Sequence, residues 1–125
     1  MKRIKPDIRI GNLENAISDA TRTLGYNSKE HALILYIENG SVIDIDLFQG
    51  TEDSVESNID WNIGDSIIKA HTHPHIDGIS DKDALYPSKE DIELRDWIAK
   101  TALENGKTLV DDLIITGTHW RSTYE

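Results

Sequence analysis

The amino-acid sequence predicts an α/β domain in which helices cover a sheet. Three observations carry that expectation. Apolar residues follow helical spacing in two separate stretches, Leu13 to Leu24 and Ile92 to Leu103. Elsewhere the period changes to the continuous or alternating runs of strands, over residues 32–48, 67–71 and 109–115. An Asn39-Gly40 step divides the first of these runs and marks a hairpin.

Taken in order, residues 1–11 form a lead-in, interrupted by Pro6, with Ile8 and Ile10 alternating ahead of Gly11. Asn12 can cap a helix over Leu13, Ala16, Ile17, Ala20 and Leu24, with Glu14 in its first turn and Gly25 as its stop. Ala32–Ile37 and Val42–Phe48 are the two arms of the hairpin. Residues 49–65 are mostly polar, broken by Gly50 and Gly64, with Val55, Ile59, Trp61 and Ile63 spaced by two or four; they read as loop with room for one strand. Ile67–His71 is a buried strand that Pro74 cannot continue. Residues 75–87 are a long polar connection, a kind more often functional than accidental. Ser88 then caps a helix with Glu90 and Asp91 in its first turn, carried by Ile92, Leu94, Trp97, Ile98, Ala102 and Leu103 and ended by Gly106. Leu109–Ile115, a turn at Gly117 and His119–Tyr124 make a closing strand pair. The order helix, hairpin, strand, helix, hairpin is uninterrupted by repeats or linkers and fits a sheet covered by helices.

One hundred and twenty-five residues suit a single domain, 1–125, with residues 1–29 as lead-in and first helix and 30–125 as the core that bears the chemistry. The net charge of -10 argues against nucleic-acid binding, which calls for a basic stripe, and favours a substrate or partner with a basic face. There is no cysteine, so any zinc site must use histidines and carboxylates. MKRIKPDIRI lacks an apolar leader core, and no run approaches the ~18 apolar residues of a membrane span, so the expected place is the cytoplasm.

The chemistry-bearing stretch is His71 to Asp91, HTHPHIDGISDKDALYPSKED. Histidines two apart on a strand, His71 and His73, point to one face and form a chelating pair. Asp91, one turn into the following helix, would complete a set of two histidines and one carboxylate. That set suits Zn2+ and leaves the fourth tetrahedral position open for water, the mark of a catalytic rather than a structural site.

These residues resemble the JAMM (MPN+/JAB) metalloprotease domain, in its RadC-like branch. The resemblance rests on Glu30 opening the first strand, on His71-Thr72-His73-Pro74, on Pro87-Ser88-Lys89-Glu90-Asp91 followed by IELRDWIAKTAL, and on the ending LVDDLIITGTHWRSTYE. It covers the chain from about residue 30 onward and leaves the first helix outside. It implies a three-layer mixed sheet flanked by helices, of the cytidine-deaminase-like architecture. It also implies a zinc-dependent peptidase or isopeptidase whose substrate is a protein or peptide, often the C-terminal tail of a ubiquitin-like protein. By the same resemblance His71, His73 and Asp91 hold the zinc, Glu30 is the general base and Ser88 stabilises the oxyanion.

The chain departs from the family in two places. The spacer from His73 to Asp91, residues 74–90, is longer than usual, and Ser80-Asp81-Lys82-Asp83 offers a second Ser-x-x-Asp nearer the usual distance. Asp91 is preferred over Asp83 because Ser88 begins a clear amphipathic helix, whereas Pro87 forbids a long helix from Ser80. Between the hairpin and the histidine strand, where the branch has a helix, this chain has only VESNIDWNIGD, a shortening that would take away a wall of the substrate groove. Two further functions stand beside the enzyme: a non-catalytic binding module on the same fold, and the DNA-repair role attached to the RadC-like label, which the net charge opposes.

Other residues have plainer readings. His31 and His119 are strand residues, the direction of His75 after Pro74 is open, and Asp77, Asp81 and Asp83 belong to a solvated loop. Trp61, Trp97 and Trp120 are expected in the core.

Overall fold

The computed structural model describes residues 2–4, 30–51, 55, 57–73, 78, 80, 83–116 and 119–125. The expected helix from Asn12 to Leu24 lies outside the described residues, as do Pro74, His75, Asp77 and Asp81. Strands β1 (Lys2–Ile4), β2 (His31–Glu38), β3 (Ser41–Gln49), β4 (Ser66–Thr72), β5 (Thr108–Thr116) and β6 (His119–Ser122) form one mixed sheet in the order β1-β3-β2-β4-β5-β6. Helix α1 (Lys89–Glu104) links β4 to β5. The described chain is therefore α/β.

Local chemistry accounts for most of these elements. Asn39 and Gly40 both take positive φ, 50° and 80°, as a tight hairpin turn whose twist matches its strands requires. β2 pairs antiparallel with β3 and with β4, while β4 and β5 run parallel because α1 returns the chain between them. Ala32–Ile37 is a continuous apolar run because β2 is buried on both faces. Leu33, Leu35 and Ile37 join Ile45, Ile68 and Leu113 on one face; Ala32, Ile34 and Tyr36 join Phe48, Ile67 and Ile98 on the other. Ile98 comes from α1, so α1 covers the second face.

The lead-in contains a strand that local pattern does not signal. β1 is three residues long and lies beside β3 at the sheet edge. Arg3 donates from Nε to Asp46 Oδ1 (2.6 Å) and from Nη2 to Asp46 Oδ2 (2.9 Å), and the Tyr36 hydroxyl donates to the same Oδ2 (2.9 Å). The Asp60 backbone N–H in turn donates to the Tyr36 hydroxyl oxygen (2.9 Å). Burial acts to raise the Asp46 carboxyl, but the hydrogen bonds from Arg3 and Tyr36 hold it below its usual range.

No strand forms among the described residues between β3 and β4, in keeping with the loop reading. Val55, Ile59, Trp61 and Ile63 nevertheless pack, partly buried, against the α1-facing cluster. Gly64 ends this segment at φ +69°, where a Cβ would overlap the Ile37 carbonyl. Trp97 and Trp120 are 62% and 46% exposed, which corrects their expected place in the core. On α1 the inward positions are Ile98 and Ala102, and Trp97 lies ~100° round the helix from Ile98. No helix among the described residues is long and apolar enough to cross a membrane.

Candidate metal centre

The register of the sheet decides which face receives the histidines. His71 of β4 lies opposite Ala32 of β2, and opposed residues of an antiparallel pair share a face, so His71 faces α1. The backbone around it is held from both sides. His31 N–H donates to Thr72 Oγ1 (2.8 Å), His73 N–H donates to Ile115 O (2.9 Å), and Thr116 Oγ1 donates to His73 O (3.2 Å). The pair thus sits on a fixed strand end, at the carboxyl edge of the one parallel step in the described sheet, where open α/β sheets place ligands.

Asp91 arrives from the head of α1. Ser88 is the N-cap: its Oγ accepts from Asp91 N (3.1 Å), and Asp91 Oδ2 accepts from Ser88 N (2.9 Å), a reciprocal capping box. The same carboxylate meets both histidines, with Oδ1 3.2 Å from His71 Nε2 and Oδ2 3.3 Å from His73 Nε2; the two Nε2 atoms are 3.1 Å apart. His71, His73 and Asp91 can therefore hold a metal ion, their ligand atoms all lying within 4.8 Å of one another. These separations match the ~3.3 Å edge of a tetrahedron with ligand bonds of ~2.0–2.1 Å. The donor set fits a divalent cation of borderline character.

The site's electrostatics follow from this geometry. Burial acts to raise the Asp91 carboxyl, yet the hydrogen bonds with His71, His73 and the Ser88 backbone hold it far below the usual carboxylate range. Burial pushes the His71 imidazole down, only partly opposed by Asp91. For His73 burial acts the same way but is outweighed by Asp91, the Ala84 carbonyl and the charge of Glu30, so its pKa is raised.

That Ala84 contact is a part of the candidate site that sequence reasoning missed. His73 Nδ1 lies 2.7 Å from Ala84 O, so an Nδ1–H donates there and leaves Nε2 bare toward the site, the support metal-binding histidines ordinarily receive. Ala84 belongs to a 3₁₀ turn, Asp83–Leu85, held by Ser80, whose Oγ accepts from Asp83 N (3.2 Å) and whose carbonyl accepts from Ala84 N (3.0 Å). The Ser80-x-x-Asp83 pattern was the available signal; it marks a supporting turn. Asp83 itself is exposed and outside the three-residue group. His71 Nδ1 is buried with no hydrogen-bond partner among the described residues, so none of them gives this ring the support His73 has.

Glu30 precedes β2, with its N–H donating to Thr51 O (2.7 Å) and its carbonyl accepting from Gly50 N (2.8 Å). Extending the Ala32–His71 register by two residues sets Glu30 opposite His73 on the α1-facing side, in keeping with the influence of its charge on that imidazole. Behind the site, on the same face as His71, Lys69 donates to Asp112 Oδ1 (3.3 Å) and Thr123 Oγ1 donates to Asp112 Oδ2 (2.9 Å), a buried network the sequence did not suggest. No protein-family model matches this chain, and a search of the curated proteins returns no match.

Proposed function

We propose that the protein is a zinc-dependent amide hydrolase of the JAMM type, a peptidase or isopeptidase acting on a protein or peptide, with the three-layer architecture of that family. The observation that carries the reading is the convergence of His71 Nε2, His73 Nε2 and the Asp91 carboxylate at ligand-to-ligand spacings of 3.1–3.3 Å, on the face to which the register brings Glu30. His71, His73 and Asp91 would hold the zinc. When bound, the ion supplies Lewis acidity, which lowers the pKa of water toward ~7 and polarises the scissile carbonyl.

The chain's own residues divide the remaining work. Glu30 takes a proton from the attacking water at its carboxylate and delivers it to the leaving amine. Ser88 accepts from Asp91 N through its oxygen, which leaves its O–H to donate to the oxyanion of the tetrahedral intermediate, a contribution of about 3 kcal/mol for such a donor. The C-terminal tail of a ubiquitin-like protein is the substrate to test first, and a cytoplasmic place of action goes with this reading.

The test is metal analysis of protein purified without chelators, followed by hydrolysis of a fluorogenic peptide amide and of a ubiquitin-like fusion. About one zinc per chain, lost in His71→Ala and His73→Ala together with turnover, is the expected result. Folded protein that neither carries nor takes up zinc would overturn the reading.

A further inference from the structure

Helix α1 carries an arginine on the side it turns to the sheet. Asp91, Arg95, Ile98 and Ala102 follow one another by four, three and four residues, so they form one stripe along the helix. Ile98 and Ala102 are the buried residues of α1, and both lie in its second half. Apolar burial therefore fixes the far end of the helix, and the first turn, which bears Asp91, needs another hold. Arg95 supplies it. Its Nη1 donates to Thr123 O (2.9 Å), and its guanidinium lies over the Tyr124 ring, 4.2 Å from the centroid. Nε and Nη2 both donate to Asp96 Oδ1, at 3.0 and 2.9 Å, which fixes the plane of the guanidinium.

A second arginine joins the same end of the chain to the turn that supports His73. Arg121 of β6 is paired with Ile114 of β5, which is paired with His71 of β4, and paired residues share a face of the sheet. Its guanidinium lies over the Tyr86 ring, 4.7 Å from the centroid. Tyr86 follows the 3₁₀ turn directly and closes on it, its N–H donating to Asp83 O (3.4 Å). The stretch that both contacts use is itself fastened to the sheet. Thr123 N–H donates to Asp112 O (2.8 Å) and Thr123 Oγ1 to Asp112 Oδ2 (2.9 Å), while Asp112 Oδ1 accepts from Lys69 (3.3 Å), two residues before His71 on β4. Residues 121–124 thus meet α1, the 3₁₀ turn and the strand next to β4.

We infer that Arg95 and Arg121 are positioning residues of the metal centre: Arg95, held by Thr123 and Tyr124, sets the reach of Asp91, and Arg121, by way of Tyr86, sets the Ala84 carbonyl that orients the His73 ring. The inference deepens the metal-centre reading and rests on it. Tyr86 and Tyr124 are 60% and 52% exposed, so a role in packing alone predicts almost no effect when their rings are removed. A positioning role predicts a loss of zinc affinity that phenylalanine, which keeps the ring face, restores.

The experiment compares Tyr86→Leu, Tyr86→Phe, Tyr124→Leu, Tyr124→Phe and Arg95→Met, each checked for folding by circular dichroism. Zinc affinity is read by competition with a metal-sensitive dye, and the His73 tautomer by nitrogen NMR of metal-free protein at about pH 9, well above the ordinary imidazole value. Tyr86→Leu, Tyr124→Leu and Arg95→Met should each bind zinc about tenfold more weakly, and both phenylalanine variants should stay within about twofold of the parent. In Tyr86→Leu alone the His73 proton should move from Nδ1 toward Nε2. Unchanged zinc affinity in both leucine variants, or an equal loss in the leucine and phenylalanine variants, would overturn the inference. So would a His73 tautomer that Tyr86→Leu leaves as it is. The tyrosine variants, at half-exposed positions, decide the matter even where Arg95→Met does not fold. A folded parent that takes up no zinc fails the hydrolase reading alone; the tautomer, measured without metal, still decides the Arg121 contact.

Discussion

Ser88 and Asp91 cap each other across the first turn of α1, and the Asp91 oxygen that accepts from Ser88 N, at 2.9 Å, is also 3.3 Å from His73 Nε2. A single carboxylate thus starts the helix and closes the site. Its aim is set by the cap, and ion capture need not orient it.

The two duties should separate by mutation. Ser88→Ala removes the cap's side-chain acceptor and should cost about 1 kcal/mol in urea unfolding while zinc content stays near that of the parent. Asp91→Asn keeps an oxygen for Ser88 N but gives up the charge, so stability should change less and zinc affinity should fall at least ~10-fold. Equal zinc affinity in Asp91→Asn and the parent would remove Asp91 from the ligand set.

Acid should act on the site in two ways. A raised His73 pKa means the imidazole holds its proton above the ordinary value near 6.5, and a bound proton excludes the metal. Zinc affinity should therefore weaken as pH falls from about 8 to about 6, measured by competition with a metal-sensitive dye. In metal-free protein the depressed Asp91 pKa contributes stability that is present above the unfolded value near 3.9 and is lost as pH falls below it. Denaturation midpoints in Asp91→Asn should show less of that acid loss.

Glu30→Gln keeps size and most hydrogen bonding while abolishing proton acceptance. Zinc content and fold should be unchanged and turnover of a peptide amide should fall by ~10²- to 10⁴-fold. Full activity would assign the proton transfer to another group.

At the far end of the sheet, Asp46→Ala should destabilise without touching the site. Tyr36 is fully buried and its hydroxyl would lose its acceptor, a cost of about 1–3 kcal/mol by urea unfolding. Zinc content should be that of the parent, because the Arg3, Asp46, Tyr36 and Asp60 network includes none of the ligands.

The sequence by itself determined the strands and the helix from residue 30 onward and the common face of His71 and His73. The Asn39-Gly40 turn, the apolar run of β2, the Ser88 cap and the two-residue spacing of His71 and His73 are all set by neighbours a few positions apart, where backbone sterics and side-chain alternation act. Tertiary structure alone decided the rest. β1 is too short to carry a pattern and is recognisable only through Asp46, 43 positions away. The helix start at Ser88 already favoured Asp91 over Asp83, but the meeting of its carboxylate with both histidines depended on where α1 lands against β4, and the support of His73 by Ala84 on a turn within a polar loop. Trp97 reads as core by composition, and only the packing of Ile98 shows that it faces outward. Local pattern specifies the strand and the helix; which of their faces meet is decided by burying apolar area between residues distant in the chain, and the site forms where those faces meet.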